Sequence, residues 1–204
     1  NGDWYLGDDP EFLEDVHDVR QVTFKKNMAT SLPKVGSSFS ENLTSKGKYG
    51  SELAEVDVFF PITHGKKGED GSLQGLLELL GKPYVGADVY GSAICMDKGV
   101  TKRLLQHHRI PVSKYKLLRN PDEVSFEDAV KELGSKLFVK PCREGSSLGV
   151  SKVRNAEEYR SALQQAFSTD RKVLVEEAIS GREIECSVLG NDFPDAASVL
   201  GEIV

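Results

Sequence analysis

The sequence predicts a mixed α/β (α+β) fold, and three stretches of the chain support this prediction. Residues 56–85 run from an apolar strand through a loop and a short helix into a second strand, the order of a βαβ unit. Residues 137–153 place a turn rich in Gly and Ser between two strand-like segments. Residues 156–167 form an amphipathic helix behind a capping residue, Asn155.

Composition and charge exclude several classes of protein. The 204 residues carry a net charge of −6, which argues against nucleic acid or an anionic membrane as the main partner. No apolar run approaches the roughly 20 residues that span a bilayer. The three cysteines, Cys95, Cys142 and Cys186, are widely spaced, so a disulfide framework or zinc site is not expected and a reducing cytoplasm is favoured.

The ends of the chain predict an internal piece of a longer protein. Asn1-Gly2 is a strong hairpin-turn signal, but no strand precedes it. Residues 198–204 form a strand-like run that ends without a partner. Short strands are predicted at 3–6 and 19–24, and residues 25–52 are predicted as loop because apolar residues are sparse there.

The βαβ-like unit begins with Val56–Thr63, a near-continuous apolar run typical of a buried parallel strand. A helix is predicted at 72–80, where leucines recur at i, i+3, i+4 and i+7, with Gly81 at the C-cap position. A short strand follows at 83–85. His64 comes directly after the first strand, at the carboxyl end where open α/β sheets bind ligands.

Capping and breaking residues place the remaining elements. Lys98 lies near the start of one predicted helix, and Gly134 ends another. Asn155, with Glu158 three residues later, resembles a capping box. These elements are helices at 94–108, 122–134 and 156–167, and strands at 136–140, 148–153, 172–177, 183–189 and 198–204.

The turn at Gly145–Gly149, called the lid below, is the strongest functional signal. Gly and Ser let backbone N–H groups approach a phosphate chain without interference from Cβ atoms, and Lys140 adds a positive charge beside them. The sequence is neither a P-loop nor a Gly-x-Gly-x-x-Gly turn. A hairpin loop with a chance lysine explains the turn, taken alone, about equally well.

The segment Val173–Glu183 favours the nucleotide interpretation. A strand enters a turn with backbone groups free for an adenine edge, and Glu183 follows where an acid can accept hydrogen bonds from ribose hydroxyls. The alternative is a surface hairpin with solvated acids. Asp97-Lys98 and His64-Gly65 also have ordinary structural explanations, so the order of the four motifs together is the specific feature.

In combination, these motifs resemble the ATP-grasp superfamily and, within it, the D-alanine–D-alanine ligases. The matching pieces are 64–75, 92–98, 138–149 and 173–183. The resemblance implies a partial Rossmann-like pre-ATP-grasp domain at 1–93, a central ATP-grasp domain at 94–179 and the beginning of a C-terminal ATP-grasp domain at 180–204.

The resemblance implies a binding site for ATP. Lys98 and Lys140 match the two lysines that bind the nucleotide phosphates, a role suited to compact point charges. Ala178 stands where relatives can carry a larger residue, which weakens packing on adenine and leaves backbone contacts intact. The other matching positions are Glu144, Gly145, Ser146, Ser147 and Gly149 at the lid, Glu176, Glu177, Ala178 and Ile179 at the adenine hinge, and Glu183 at the ribose.

The resemblance also implies a two-step reaction. ATP phosphorylates the carboxylate of one D-alanine, and the amine of a second D-alanine attacks the acyl phosphate. Ser146 matches a serine that holds the first substrate, while His64 faces the substrate with Glu69 close behind. The product would serve peptidoglycan synthesis in a bacterial cytoplasm, and a homodimer is usual for the family.

Other parts of the family's machinery are expected outside this chain. The glutamate that binds the first substrate's amine is expected before Asn1. The triad tyrosine, the oxyanion arginine and the ligands of two Mg²⁺ (or Mn²⁺) ions are expected after Val204. We therefore expect no metal ligand within these 204 residues.

Three alternatives to a D-alanine–D-alanine ligase stay open at this stage. A close variant would join D-alanine to D-lactate or D-serine, and the residues that select the second substrate are expected mainly after Val204. Another ATP-grasp ligase is a second alternative, against which residues 64–75 argue. A nucleotide-binding module without catalysis is the third.

We expect the 204-residue chain, purified alone, to make no dipeptide, because the phosphoryl charge would lack its metal ions. The measurement is dipeptide formation from ATP and D-alanine, with Lys140→Ala as the control. Steady formation above that control would contradict the expectation.

Overall fold

The predicted mixture of helices and strands is confirmed. The computed structural model describes residues 4–5, 29–30, 56–191, 193–196 and 199–204. No helix in these ranges is long and apolar enough to cross a membrane. The helices are α1 (Ser72–Leu79), α2 (Val89–Met96), α3 (Lys98–His107), α4 (Phe126–Leu133) and α5 (Ala156–Thr169). The strands are β1 (Trp4–Tyr5), β2 (Ala29–Thr30), β3 (Tyr115–Leu118), β4 (Leu137–Pro141), β5 (Ser151–Val153), β6 (Val173–Glu177), β7 (Glu183–Glu185), β8 (Val188–Leu189), β9 (Asp195–Ala196) and β10 (Gly201–Ile203).

The chain divides into two compact units. The first comprises Asn1–Ile62 and Gln74–Gly86, and the second comprises Thr63–Leu73 and Ala87–Val204. This division follows compactness alone. The three predicted domains, with boundaries at 93/94 and 179/180, therefore stay predictions.

A four-stranded sheet forms the centre of the second unit. Its order is β3-β6-β4-β5, and each neighbouring pair is antiparallel. In the middle strand, β6, residues 173–175 are fully buried. Glu176 pairs in register with Tyr115 of β3 on one side and Phe138 of β4 on the other. The pairing of β4 with β5 confirms that the lid connects two antiparallel strands.

Helices α4 and α5 pack against this sheet and form the hydrophobic core with it. The buried members are Leu118, Ala129, Leu133, Leu137, Val139, Val153, Tyr159, Ala162, Leu163, Ala166, Val173 and Val175. The Tyr159 hydroxyl donates to the Val124 carbonyl at 3.2 Å. Burial raises the pKa of Tyr159 to about 12, so this phenol stays neutral inside the core.

Side-chain caps determine where the helices begin. The predicted capping box at α5 is confirmed, since Asn155 Oδ1 accepts from Glu158 N at 2.9 Å and Glu158 Oε2 accepts from Arg154 N at 2.8 Å. The predicted helix at 122–134 starts later, at Phe126, because Ser125 accepts from Asp128 N and caps it. It ends as predicted at Gly134, whose φ is 98°.

The single helix predicted at 94–108 is wrong. The structure has two helices there, α2 and α3, separated by Asp97. Asp97 has an extended ψ of 93°, and its Oδ1 accepts from Gly99 N and Val100 N at 3.1 and 3.2 Å. A residue that caps one helix in this way interrupts the preceding one.

In the first unit, the strand predicted at Val56–Thr63 is also wrong among the described residues. Within 56–63, Phe59 alone pairs, through a parallel bridge to Tyr84. Tyr84 lies in the segment 83–85, which was predicted as the second strand. Val58, Phe60 and Ile62 are 54–77% exposed, so the apolar run is not buried. A longer ladder requires a neighbouring strand along the whole run, and in the described residues only the segment around Tyr84 lies beside it.

Two expectations for the carboxyl-terminal strands are corrected. The strand predicted at 183–189 is two strands, because β7 pairs with β10 and β8 pairs with β9. The run at 198–204 therefore has a partner, although residue 198 itself lies outside the described residues. The extended run changes partner at Cys186-Ser187, where neither pairing continues.

At the amino terminus, much of what was predicted lies outside the described residues. This applies to the strand at 19–24 and to most of the loop at 25–52. The strand at 3–6 is confirmed at Trp4–Tyr5, which pairs with β2. Ala29–Thr30, in the predicted loop, forms a strand instead, because β1 supplies its hydrogen-bonding partner.

Asp170 joins the end of α5 to the segment that follows β4. Its carboxylate accepts from Arg143 N at 2.8 Å, from Arg143 Nη2 at 2.5 Å and from Lys172 N at 3.2 Å. Burial acts to raise the pKa of Asp170, but the hydrogen bonds from Arg143 and Lys172 outweigh it and hold the pKa below its usual value. This carboxylate fixes the chain just before the lid.

We expect Asp170→Asn to lower the free energy of unfolding by about 2–3 kcal/mol at neutral pH, because the bonds to the Arg143 guanidinium lose their charge. A depressed carboxyl pKa stabilises the fold above its unfolded value of 3.8 and less as the pH falls through the folded value. The difference between variant and wild type should thus shrink below pH 4. Urea unfolding at several pH values measures it.

Glu132→Gln is the matched control for Asp170→Asn. Glu132 pairs with Lys116 at 2.7 Å, but its side chain is 58% exposed, so its removal should cost less than about 1 kcal/mol. Equal losses in the two variants, at every pH, would contradict the role assigned to Asp170.

Candidate nucleotide site

The lid is a tight turn at the end of the β4–β5 hairpin. Leu148 N donates to Gly145 O at 3.0 Å, and Ser146 and Ser147 have φ values of 47° and 57°. Gly149 has a φ of 71°, and a Cβ there would meet Pro141 Cγ at 2.9 Å. Left-handed serines are uncommon, and such local strain is typical of segments that clamp ligands.

Lys98 is the first residue of α3 and reaches the base of the lid. Its Nζ donates to the Glu144 carbonyl at 2.5 Å, and its backbone N donates to the Cys142 carbonyl at 3.0 Å. Burial lowers the pKa of Lys98, and the nearby positive charge of Lys140 lowers it further. The two lysines predicted to bind phosphate are therefore close enough to repel each other.

Lys140 extends from β4 toward β6 and pairs with Glu176. The Lys140 Nζ to Glu176 Oε2 distance is 2.5 Å, and the Glu176 side chain is 6% exposed. A second cation, Lys102 from α3, lies 3.1 Å from Glu176 Oε1. The buried carboxylate thus lies between two ammonium groups on different elements.

The lid packs against a loop at His64–Asp70, called the substrate-side loop below. Glu69 Oε2 accepts a short hydrogen bond from Gly65 N, and a Cβ added at Gly145 would lie 3.4 Å from Gly65 Cα and 3.6 Å from Glu69 Oε2. His64 Nδ1 is 3.9 Å from Glu69 Oε1, and the imidazole is mostly exposed. The structure therefore brings His64, Glu69 and the lid together.

Lys66 connects the substrate-side loop to the base of the lid. Its ammonium pairs closely with the Glu144 carboxylate, which is 8% exposed, and donates to the Thr169 carbonyl at 2.9 Å. Glu144 therefore interacts with Lys66 through its side chain and with Lys98 through its carbonyl. In this state its carboxylate serves to anchor the lid.

The hinge after β6 is less open than predicted. Ala178 N donates to the Lys136 carbonyl at 2.9 Å, so this N–H is not free for an adenine edge. Glu177 is also tied to a neighbour, since its Oε1 accepts from Lys114 N at 2.7 Å. The expectation of free backbone groups is wrong at Glu177 and Ala178, whose N–H groups donate to the Lys114 and Lys136 carbonyls, because the sheet extends beyond β6.

Ile179 and Glu183 are exposed at the far end of the predicted hinge. Ile179 is 68% exposed, and Glu183 opens β7 with an exposed side chain. The described contacts do not join Glu183 to the lysines, so its role at a ribose stays a prediction.

Three residues of the site, Lys66, Lys102 and Lys172, were not predicted from the sequence, and each acts through a partner distant along the chain. Lys102 and Lys66 are described above. Asp97 and Lys172 form a close ion pair that joins the start of α3 to the segment before β6. One sequence signal could have identified Lys102, since it lies one helical turn after Lys98 and therefore on the same face.

Cys142 lies among these charges but is not a candidate nucleophile. It is fully buried, and burial raises the pKa of its thiol to about 11, so the reactive thiolate is scarce at neutral pH. In the described part of the chain no group of three or more His, Cys, Asp or Glu side chains could hold a metal ion. We derive no step through a metal.

Comparison with protein families matches nearly the whole chain. Residues 1–87 match the family described as the D-ala D-ala ligase N-terminus, and residues 104–204 match the D-ala D-ala ligase C-terminus. The chain is 46% identical over 205 residues to D-alanine–D-alanine ligase A of Escherichia coli (strain K12), an alignment that covers 100% of this chain and 56% of that protein.

Solved structures of the same kind resemble the fold. The D-alanine-D-alanine ligase from Coxiella burnetii has a TM-score of 0.68 and 45% identity, covering 74% of this chain and 45% of its own. The VanG D-Ala:D-Ser ligase from Enterococcus faecalis has a TM-score of 0.63 and 43% identity, covering 72% and 43%. The chain spans about half the length of the relatives it matches. From these matches, the chain belongs to the D-alanine–D-alanine ligase family.

Proposed function

We propose that the protein is an ATP-dependent ligase that joins two D-alanines into D-alanyl-D-alanine. The observation that carries this proposal is the contact of Lys98 with the base of the lid, with Lys140 on the strand that leads into the lid and the substrate-side loop packed beside it. The name of the Escherichia coli relative, D-alanine–D-alanine ligase A, supports the choice of substrates. A module without catalysis would not need His64 and Glu69 next to the phosphate lid.

In the first step, a carboxylate oxygen of one D-alanine attacks the γ-phosphorus of ATP, and ADP leaves. Lys98 and Lys140 would neutralise the charge that is shared between the phosphoryl oxygens and ADP. Burial and the repulsion from Lys140 lower the pKa of Lys98 in the free protein, and a bound phosphate chain would offset that repulsion. Most of the catalysis is thus positioning and charge neutralisation.

In the second step, the amine of the other D-alanine attacks the acyl carbon, phosphate leaves and the nitrogen loses a proton. Acyl phosphates hydrolyse readily, so the lid would have to exclude water while the amine approaches. We assign Ser146 to the first substrate and His64 to the substrate side, with Glu69 holding the loop. Gly145, Ser147 and Gly149 would contact the phosphates through their backbone.

We assign the adenine to the segment Glu176–Ile179 and the ribose hydroxyls to Glu183. Glu176 is a buried acceptor near the end of β6, and Ile179 is exposed and apolar, as a surface for a base requires. Because Glu177 N and Ala178 N are already bonded, hydrogen bonds to adenine would fall to the other backbone groups of the segment. Glu144 would act through its carbonyl and its ion pair with Lys66.

We further propose Mg²⁺ or Mn²⁺ as the ions that accompany ATP, a cytoplasmic location and a homodimer. The free thiols of Cys95 and Cys142 fit a reducing compartment. The product would supply the end of the peptidoglycan stem. These assignments rest on membership of the family, and light scattering would test the dimer.

A variant that joins D-alanine to D-serine is the second candidate. The VanG D-Ala:D-Ser ligase matches this chain nearly as well as the Coxiella burnetii ligase does, with TM-scores of 0.63 and 0.68. The part of the fold that this chain shares with both ligases is therefore compatible with either second substrate.

Lys98→Ala and Lys140→Ala in the full-length protein should each lower kcat/KM for ATP by about 100-fold or more, because phosphoryl charge loses a fixed cation. The measurement is D-alanine-dependent ADP release. The control Lys116→Ala removes a lysine that pairs with the exposed Glu132, and should change kcat/KM by less than about fivefold. Wild-type rates in both site variants would refute the proposed phosphate contacts.

The two candidate products separate in a competition assay. With ATP and equal D-alanine and D-serine, we expect D-alanyl-D-alanine to dominate the products identified by mass spectrometry. Predominant D-alanyl-D-serine would instead establish the second candidate, and ADP release without dipeptide would refute both.

A further inference from the structure

The buried carboxylate of Glu176 has two counter-ions with different surroundings. Glu176 is 4% exposed overall, with Lys140 at 2.5 Å and Lys102 at 3.1 Å from its two oxygens. A single buried carboxylate needs a single positive charge for compensation. The second lysine is therefore in excess while no ligand is bound.

Lys102 is held in place by several partners besides Glu176. Its Nζ donates to Ser113 Oγ at 2.6 Å and to the Ser113 carbonyl at 3.3 Å. It also lies over the Tyr115 ring, 5.2 Å from the centroid, and its side chain is only 14% exposed. These contacts fix the ammonium whether or not Lys140 is present.

Lys140 is the more accessible of the two cations. Its side chain is 24% exposed, and Glu176 is its ion-pair partner among the described residues. Glu176 Oε1, the oxygen nearest Lys102, accepts no hydrogen bond in the described structure, whereas Lys102 Nζ donates to Ser113. The Lys140–Glu176 contact is thus the closer one, yet Lys140 is the cation that a ligand can reach.

We propose that Lys102 is a positioning residue that compensates Glu176 when Lys140 turns to a nucleotide phosphate. In the free protein, the two lysines and the carboxylate sum to one positive charge. Withdrawal of Lys140 leaves a neutral Lys102–Glu176 pair, whereas without Lys102 it would leave a buried, unpaired carboxylate, which is strongly unfavourable. The inference rests on the proposed nucleotide site for the event that withdraws Lys140.

The substitution Lys140→Met removes the Lys140 charge from Glu176 without any nucleotide and so imitates the withdrawal. The first measurement is the Tm of thermal unfolding. We expect Lys102→Met to lower Tm by about 3 °C in the wild-type background, where Lys140 still compensates Glu176. In the Lys140→Met background it should lower Tm by about 10 °C. The control Lys116→Met should cause the same small shift in both backgrounds, since Lys116 pairs with Glu132.

Equal Tm losses for Lys102→Met in the two backgrounds would overturn the proposal. If the Lys102→Met/Lys140→Met double variant fails to fold, Glu176→Gln is added to it, because a neutral amide needs no counter-ion. Recovery of a cooperative transition then supports the proposal. A triple variant that stays unfolded overturns it, since Lys102 would be needed for packing alone.

Nucleotide binding gives a second readout that separates this inference from the proposed function. With a fluorescent ATP analogue and the full-length protein, Lys102→Met should raise Kd about tenfold, but less than about threefold in a Glu176→Gln background. Equal effects in the two backgrounds would overturn the proposal. If the wild type binds no nucleotide, the proposed function fails, and the comparison of Tm values still decides whether Lys102 compensates Glu176.

Discussion

The position of β6 between β3 and β4 is the constraint on which the candidate site depends. Its residues 173–175 are fully buried, so the hydrophobic core holds the strand in one register. That register pairs Glu176 with Tyr115 and Phe138 and places its carboxylate between Lys102 and Lys140. A shift by one residue would move Glu176 to the other face of the sheet. The charges of the site are therefore arranged by the packing beneath them.

The lid combines a fixed base with an exposed tip. Ion pairs between Arg143 and Asp170 and between Lys66 and Glu144 hold the residues that precede the turn, and both acids are buried. At the tip, residues 146–148 are exposed. A turn of this kind can close over a ligand while its base stays in place, which limits the conformational entropy lost on closure.

The sequence predicted those features whose conformation depends on residues close together in the chain. The capping box at Asn155 and the lid between two strands are examples, because backbone conformation there depends on neighbouring residues. The break at Asp97 was missed, since an Asp before a lysine is compatible with a continuing helix until its side chain is seen to accept from Gly99 N. The spacing from Lys98 could have placed Lys102 near the site, but the partners of Lys66 and Lys102 could not be predicted, because they are fixed by the sheet register and by a loop distant in the chain.

In the free protein, both phosphate-binding candidates are paired with protein oxygens. Lys98 donates to the neutral carbonyl of Glu144, and Lys140 pairs with the carboxylate of Glu176. When a phosphate oxygen replaces the Glu144 carbonyl as its partner, the hydrogen bond from Lys98 becomes stronger, because the acceptor is then charged as well as the donor. When Lys140 leaves the Glu176 carboxylate for a phosphate, one anionic partner replaces another, so little binding energy is gained. The exchange becomes unfavourable if Glu176 is left without a counter-ion. From this asymmetry we expect ground-state binding of ATP to depend mainly on Lys98, and Lys140 to contribute mainly in the transition state, where phosphoryl charge develops. In our proposal, the nearby Lys102 makes the exchange at Lys140 feasible, because it keeps Glu176 paired.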